Sequence, residues 1–225
     1  MPRIGRCGII GFALALVLTG CPMTTPPGKG PATGGSPRDL QKVDELFVPD
    51  AQVPGKRVFR TNDPAYWGPY GSTIWTLSEP PEEPFQQLEV ELIKVEGDDT
   101  AGYGVVFCSY DTGNPETGET MLVAMINTRK EFIVGEVAGA AFTVIVPWSS
   151  CQSLSAGYSQ SNVLRVTYDS AAGEYCLFLN GTEAVRFRDD EEPRHDQGGR
   201  NGYIVVISPL DSFPSSSVHV IFQER

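Results

Sequence analysis

One short segment carries side chains that could do acid–base chemistry. Gln87, Glu89 and Glu91 alternate with Leu88, Val90 and Leu92, and in a strand positions i, i+2 and i+4 share a face. Hydrolysis of a glycosidic bond needs two carboxyl groups flanking it, one as acid and one as nucleophile or base. Glu89 and Glu91 could serve there; the same alternation also describes the solvent face of a strand whose Leu88, Val90 and Leu92 enter a core. A second group could hold a sugar without cleaving it. Tyr66, Trp67, Tyr70 and Trp75 fall in a Gly/Pro-bounded stretch without a strand pattern. Flat rings receive the C–H faces of pyranoses while a few polar groups orient them. These aromatics, with Glu89 and Glu91, form the candidate ligand-binding set. Trp148 is expected instead to fill the core.

Other chemistry is thinly represented. Asp98-Asp99 and Asp189-Asp190-Glu191-Glu192 lie in expected turns, where clustered oxygens could chelate a hard cation, but neither follows the spacing of an EF-hand loop. Charged turns are otherwise simply solvated, so no metal and no cofactor is expected. His195 and His219 stand too far apart to suggest a pair. The serines near 149 and 215 lack a nucleophile elbow, and no glycine-rich loop with a lysine cradles phosphate. No catalytic residue is assigned. Cys108, Cys151 and Cys176 are an odd number in the body of the chain. Cys108 and Cys176 read as small buried side chains in strands, and no structural disulfide is expected, with a pair through Cys151 as the alternative.

The elements that must position these residues are strands. The chain has 225 residues, 40% hydrophobic and 20% charged, with 24 Gly and 18 Pro. That balance excludes a polytopic membrane protein and a wholly disordered chain, and it points to many turns. With 17 basic and 28 acidic side chains the net charge is −11, the wrong sign for a nucleic-acid partner. From about residue 56 onward the dominant period is two. Strands are expected at 87–92, 103–110, 121–127, 131–137, 141–146, 163–168, 175–179, 184–187, 203–207 and 218–222. Asn180-Gly181 joins two apolar-rich runs as a type I′ hairpin, because both residues tolerate positive φ. No internal repeat supports a propeller. The expectation is an all-β fold, a two-sheet antiparallel sandwich, with at most one short N-terminal helix. Ser36-Pro37 would start that helix, and Leu40, Val43 and Phe47 would give its spacing.

Val163 to Tyr168, the Leu-Asn-Gly hairpin and the strand from Tyr203, preceded by Gly102-Tyr103-Gly104-Val105-Val106 and Val146-Pro147-Trp148, resemble the concanavalin A-like lectin and glucanase jelly rolls. The resemblance covers residues 85 to 225. It implies two packed antiparallel sheets, convex and concave, with carbohydrate binding or glycoside hydrolysis on the concave face. Laminarinase-type members carry a Glu-x-Asp-x-(x)-Glu strand. This sequence is similar at 87–91 but has Gln87 in the first slot, an amide where that pattern places its nucleophile.

The N-terminus supplies an address. Arg3 and Arg6 precede a short apolar run from Ile9 to Leu18, shorter than the roughly 20 residues that span a bilayer and typical of a signal peptide. Leu18-Thr19-Gly20-Cys21 resembles the lipobox of bacterial lipoproteins, which implies cleavage before Cys21 and acylation of that residue. Loss of Arg3 and Arg6 would leave 15 basic and 28 acidic side chains, a net charge of −13. Residues 22–38, rich in Pro and Gly, read as a tether spanning roughly 20–25 Å as a coil. The expected organisation is a signal peptide at 1–20, a lipidated Cys21 with its tether through 38, and the sandwich from 39 to 225. The expected function is a non-catalytic binding domain for glycan or another polymer, held at the bacterial envelope. A structural or protein-binding role and a glycoside hydrolase are the alternatives.

Overall fold

The computed structural model describes residues 40–68, 71–81, 83–114, 118–139, 141–189, 194–196, 199–209 and 217–225. Fourteen strands run through them: β1 (Leu40–Lys42), β2 (Phe47–Pro49), β3 (Lys56–Thr61), β4 (Ser72–Leu77), β5 (Gln87–Glu96), β6 (Tyr103–Asp111), β7 (Glu119–Ile126), β8 (Glu131–Ala138), β9 (Ala141–Ser150), β10 (Ser161–Asp169), β11 (Glu174–Leu179), β12 (Thr182–Phe187), β13 (Arg200–Ile207) and β14 (Val218–Glu224). They form two seven-stranded sheets. The first has the order β1-β4-β13-β6-β7-β8-β9 and the second β12-β11-β10-β5-β14-β3-β2. Neighbours are antiparallel except β1 and β4, which run parallel. No helix among the described residues is long and apolar enough to cross a membrane.

Turn chemistry sets the hairpins. Between β10 and β11 the Asp169 carboxylate accepts from the amides of Ala171 and Ala172. Between β7 and β8, Asn127 Oδ1 accepts from the amides of Arg129 and Glu131. At the tip of β11–β12, Asn180 and Gly181 adopt φ of 49° and 80°, the type I′ geometry that matches strand twist.

The core lies between the sheets. Val90 and Leu92 of β5, Leu164 and Val166 of β10 and Phe222 of β14 meet Val105, Leu122, Ala124 and Val205 of the first sheet. Aromatic rings fill both ends, with Tyr203 and Phe222 centred 4.6 Å apart and Tyr175 stacked on Phe187 at 5.4 Å. Glu89 and Glu91 of β5 and Arg165 and Thr167 of β10 face outward and alternate with buried residues, so this part of the second sheet shows ordinary alternation. The middle of the first sheet does not. On β6 and β7, residues facing out of the sandwich are buried as fully as those facing in.

Two expectations are corrected. The short N-terminal helix is absent: its described part is β1, a single 3-10 turn at Asp44–Leu46, and β2. Leu40 packs on the outward face of the first sheet whereas Phe47 is buried between the sheets, so the two do not belong to one helical face. Open edges supply backbone partners instead, and the Val43 amide donates to the Trp75 carbonyl. The stretch around Trp75, expected to be irregular, is the strand β4. Ile74 enters the core and Trp75 enters the outer cluster, and a strand that is apolar on both faces shows no alternation.

Candidate functional site

The structure separates the residues that sequence reasoning had grouped. Tyr66 closes a 3-10 turn whose N-cap, Asp63, accepts from the Ala65 amide at 2.9 Å. The Tyr66 carbonyl accepts from Ser72 Oγ at 2.7 Å. Tyr66 and Trp67 are half-buried and pack against the core between the sheets. Trp75 lies in the other cluster, on the outward face of the first sheet. These three rings therefore do not form one exposed platform, and Tyr70 and Cys21 lie outside the described residues. Trp148, expected in the core, packs on the outward face of the first sheet as well.

Glu89 and Glu91 share the outward face of β5, on the second sheet, where arginines meet them. Arg165, directly opposite Glu89 on β10, approaches it to 3.8 Å, and its guanidinium lies over the Phe178 ring at 4.3 Å. Arg225 reaches Glu91 at 2.9 Å, and Ser161 also donates to that carboxylate. The Ser161 hydroxyl, followed by Arg225, holds the Glu91 carboxyl below its ordinary range. A general acid in glycoside hydrolysis needs the opposite shift.

The expected acidic turns are engaged internally where they are described. Asp98 Oδ1 accepts from the amide and hydroxyl of Thr100. Asp99 takes a bidentate pair from Arg129 at 2.9 Å. Asp189 accepts from Arg194 at 2.9 Å. No group of three or more His, Cys, Asp or Glu side chains is placed to hold a metal ion among the described residues. Cys108, Cys151 and Cys176 are free thiols, and burial pushes the Cys108 thiol up to about 12.

A different surface draws chemistry-bearing groups together: the outward face of the first sheet. Strand register aligns Trp75, Ile204, Gly104, Met125 and Ile133 in one row across β4, β13, β6, β7 and β8. The next row runs Leu77, Gly202, Val106, Val123 and Gly135. A methyl at Gly104 would lie 2.0 Å from the Ala124 carbonyl oxygen, and one at Gly202 would lie 1.9 Å from that of Thr76. Both rows therefore have a position where no side chain fits. Aromatic rings from the edge strand β9 close in from one side. The Phe142 ring lies over Gly135, within 2.4 Å of where a Cβ would be, and Trp148 stands beside Gly102 and Met125.

Within this apolar face the Trp75 side chain is only 8% exposed, and its Nε1 has no hydrogen-bond partner among the described residues. A buried donor left unpaired costs about 1–3 kcal/mol, so a native structure that keeps one calls for a reason.

One end of the face is polar. Glu119 continues the outward series Met125, Val123, Met121 along β7. Its Oε1 accepts from Ser109 Oγ at 3.0 Å and from the Arg200 guanidinium. Both donors are delivered by irregularities. The register of β6 slips between Phe107 and Tyr110, and that of β13 between Arg200 and Gly202. Cys108 sits at the first slip with φ 54°. Phe107 and Cys108 consequently both face the core, and Ser109 is turned outward, which is how a bulge re-aims a side chain. Gly199 lets the chain cross this bulge closely, since a Cβ there would lie 2.7 Å from the Cys108 carbonyl carbon.

Sequence reasoning missed this face, although a signal was present. Met121 through Ile126 is an unbroken apolar run, the mark of a strand covered on both sides rather than one.

No protein-family model and no curated protein matches the chain. Among solved structures it is similar to the catalytic domain of an endo-1,3-beta-glucanase (laminarinase) from Thermotoga petrophila, with a TM-score of 0.51 and 10% identity over 81% of this chain and 79% of that one. The laminarinase catalytic domain from Thermotoga maritima gives 0.50 at 10% identity, over 83% and 82%. A carbohydrate-binding module from Bacillus subtilis gives 0.46 at 10% identity, over 75% and 79%. The two laminarinase domains identify the shared architecture as the concanavalin A-like jelly roll, and at such identities the likeness is one of fold alone.

Proposed function

We propose that this jelly-roll domain is a non-catalytic glycan-binding module, lipid-anchored through Cys21 at the bacterial envelope, and that its ligand lies along the outward face of the first sheet. What supports this reading is the likeness of fold to the two laminarinase domains, together with the part-exposed Phe142 and Trp148 rings at the β9 side of that face. A pyranose offers a C–H-rich face for such rings. The N-terminal address supports the anchor, and the net charge argues against anionic polymers such as nucleic acid.

The reading is non-catalytic because the two carboxylates that the sequence offers as a pair are already engaged. Glu89 and Glu91 are tied to Arg165 and Arg225. The outward positions next to Glu119 on β7 are Met121 and Val123.

The test is a glycan array with the full-length protein in detergent, followed by titration of the best saccharide. Trp148→Ala, which removes a part-exposed ring from that face, is expected to weaken binding roughly 10-fold. Binding of no saccharide, or unchanged affinity in Trp148→Ala, would overturn the reading in favour of a structural or protein-binding lipoprotein. Polysaccharide turnover abolished by Glu89→Gln or Glu91→Gln would overturn its non-catalytic part. Intact-mass analysis showing residues 1–20 retained and Cys21 unmodified would remove the anchor.

A further inference from the structure

We infer that the free edge of β9 pairs with β9 of a second copy of this chain, antiparallel about Thr143, so that the first sheets of two protomers join into one. The inference is independent of the glycan reading above. An unprotected edge strand is an open row of N–H and C=O groups that another strand can take up, and the two sheets end in β1, β9, β12 and β2. All but β9 are blunted. β1 and β2 have three residues each, and β2 ends in Pro49. β12 presents Glu183 and Arg186, both exposed. β9 instead runs for ten residues, Ala141–Ser150, without a charged side chain, and among the described residues only β8 pairs with it. Val144, in its first half, is 49% exposed.

The strand itself selects the occupant and the register. Pro147 brings no N–H to the edge, and the ladder to β8 slips on both sides of Val134, whereas Ala141 to Val144 keep an unbroken register against Ala138 to Gly135. Pairing is thereby confined to the first half of β9. Phe142 and Val144 point out of the sandwich, opposite Val137 and Gly135, and Ala141, Thr143 and Ile145 take the other face. An antiparallel pairing centred on Thr143 sets Phe142 against the partner's Val144, Thr143 against the partner's Thr143, and Ala141 against the partner's Ile145. Every residue then meets one from its own face, and aromatic with β-branched and threonine with threonine are favourable cross-strand pairs. A shift of the centre to Val144 breaks the match, because Phe142 would meet the partner's Val146, which packs on the core, and Pro147 would enter the ladder. Each copy offers the same segment, so the assembly closes on two chains. A net charge of −11 repels a second copy at long range, which leaves an uncharged strand as the place where two can meet. The space over Gly135, where a side chain of an unrelated peptide could lodge, is already filled by the Phe142 ring. A ribbon of five residues is a small interface, and the dimer is a reversible one.

Sedimentation equilibrium of the full-length protein in density-matched detergent, across the micromolar range, reads the association. The wild type is expected to pass reversibly from monomer to dimer. Val144→Lys places a charge on the edge and is expected to weaken association roughly 10-fold or more, with the urea midpoint unchanged because the side chain it replaces is half-exposed. Thr143→Cys, on the two-fold axis, is expected to give a disulfide-linked dimer on treatment with diamide, above the wild-type background, whereas Thr182→Cys on the edge strand β12 is not. A wild type that stays monomeric at every concentration, a Val144→Lys variant that associates as the wild type does, or cross-linking in Thr143→Cys no greater than in Thr182→Cys would each overturn the inference.

Discussion

Lys94 is a charge buried inside an all-β core. It faces inward from β5, is 1% exposed, and donates to the carbonyls of Asp98 at 2.5 Å and Ala101 at 2.9 Å. Its ammonium also stands 5.4 Å from the Tyr103 ring centre. Burial, opposed by Asp98 and Asp99, pulls its pKa from 10.5 to about 8. Below pH 8 the folded and unfolded states both hold the proton, and the burial penalty is fully present. Between pH 8 and 10.5 the unfolded chain binds more protons than the folded one, so unfolding free energy rises with pH, by on the order of 3 kcal/mol across the whole window. The buried hydroxyls of Tyr103, Tyr175 and Tyr203 are pushed upward, and their stabilising effect is lost only as pH rises beyond the ordinary tyrosine range. Urea midpoints measured from pH 7 to 9.5 should therefore climb in the wild type relative to Lys94→Met. Parallel curves for the two proteins would contradict the assignment.

Among the elements, the β11–β12 hairpin binds more of the molecule than its two strands. Asn180 Oδ1 accepts from the Val163 amide at 2.7 Å, and its Nδ2 donates to the Ser153 carbonyl and to Asn162 Oδ1 at 2.7 and 2.9 Å. One turn residue thus ties the hairpin to β10 and to the loop after β9. Gly181, with φ 80° and open space around it, needs only its backbone freedom. Gly181→Ala is expected to cost about 1 kcal/mol. Asn180→Gly keeps the conformation but loses three hydrogen bonds, about 2 kcal/mol in all, so it should melt earlier than Gly181→Ala. The reverse order would mean that backbone geometry, not the side-chain bonds, governs this turn. The hairpin was legible in the sequence because Asn-Gly is a local signal; its ties to residues 153 and 162–163 depend on how distant strands come together.

At the scale of the whole molecule, one buried guanidinium joins the β12–β13 segment to the first sheet. Arg194 is fully buried and donates to Asp189 and to Glu136 of β8. Glu136 also accepts from Thr120 Oγ1 of β7. Two carboxylates that are themselves mostly buried would face each other if the cation were removed. Arg194→Met is therefore expected to destabilise the fold by about 3–5 kcal/mol, read as a fall in the urea midpoint. A loss below about 1 kcal/mol would show that water replaces the cation without difficulty. The same segment leads through Gly199 to Arg200, so the variant should also loosen the grip on Glu119.

The sequence by itself determined the all-β architecture and the positions of most strands from β5 onward, because period-two alternation and turn residues are local properties of the chain. It also determined the resemblance to jelly rolls that the fold comparison supports. Tertiary structure alone decided which carboxylate faces which surface. Glu89 and Glu91 stood out in the sequence because they alternate with apolar residues, yet that alternation belongs to a sheet facing solvent, and arginines from β10 and the C-terminus neutralise them. Glu119 gave no such pattern. Its partners come from residues 109 and 200, aimed by two register slips, and a bulge is set by the pairing of neighbouring strands rather than by the composition of either one. Trp75 and Trp67 are eight positions apart in the chain, but the strand containing Trp75 turns its ring out of the sandwich while Trp67 packs against the core. Nearness in sequence does not tell which side of a sheet a ring will take until the register of that sheet is known.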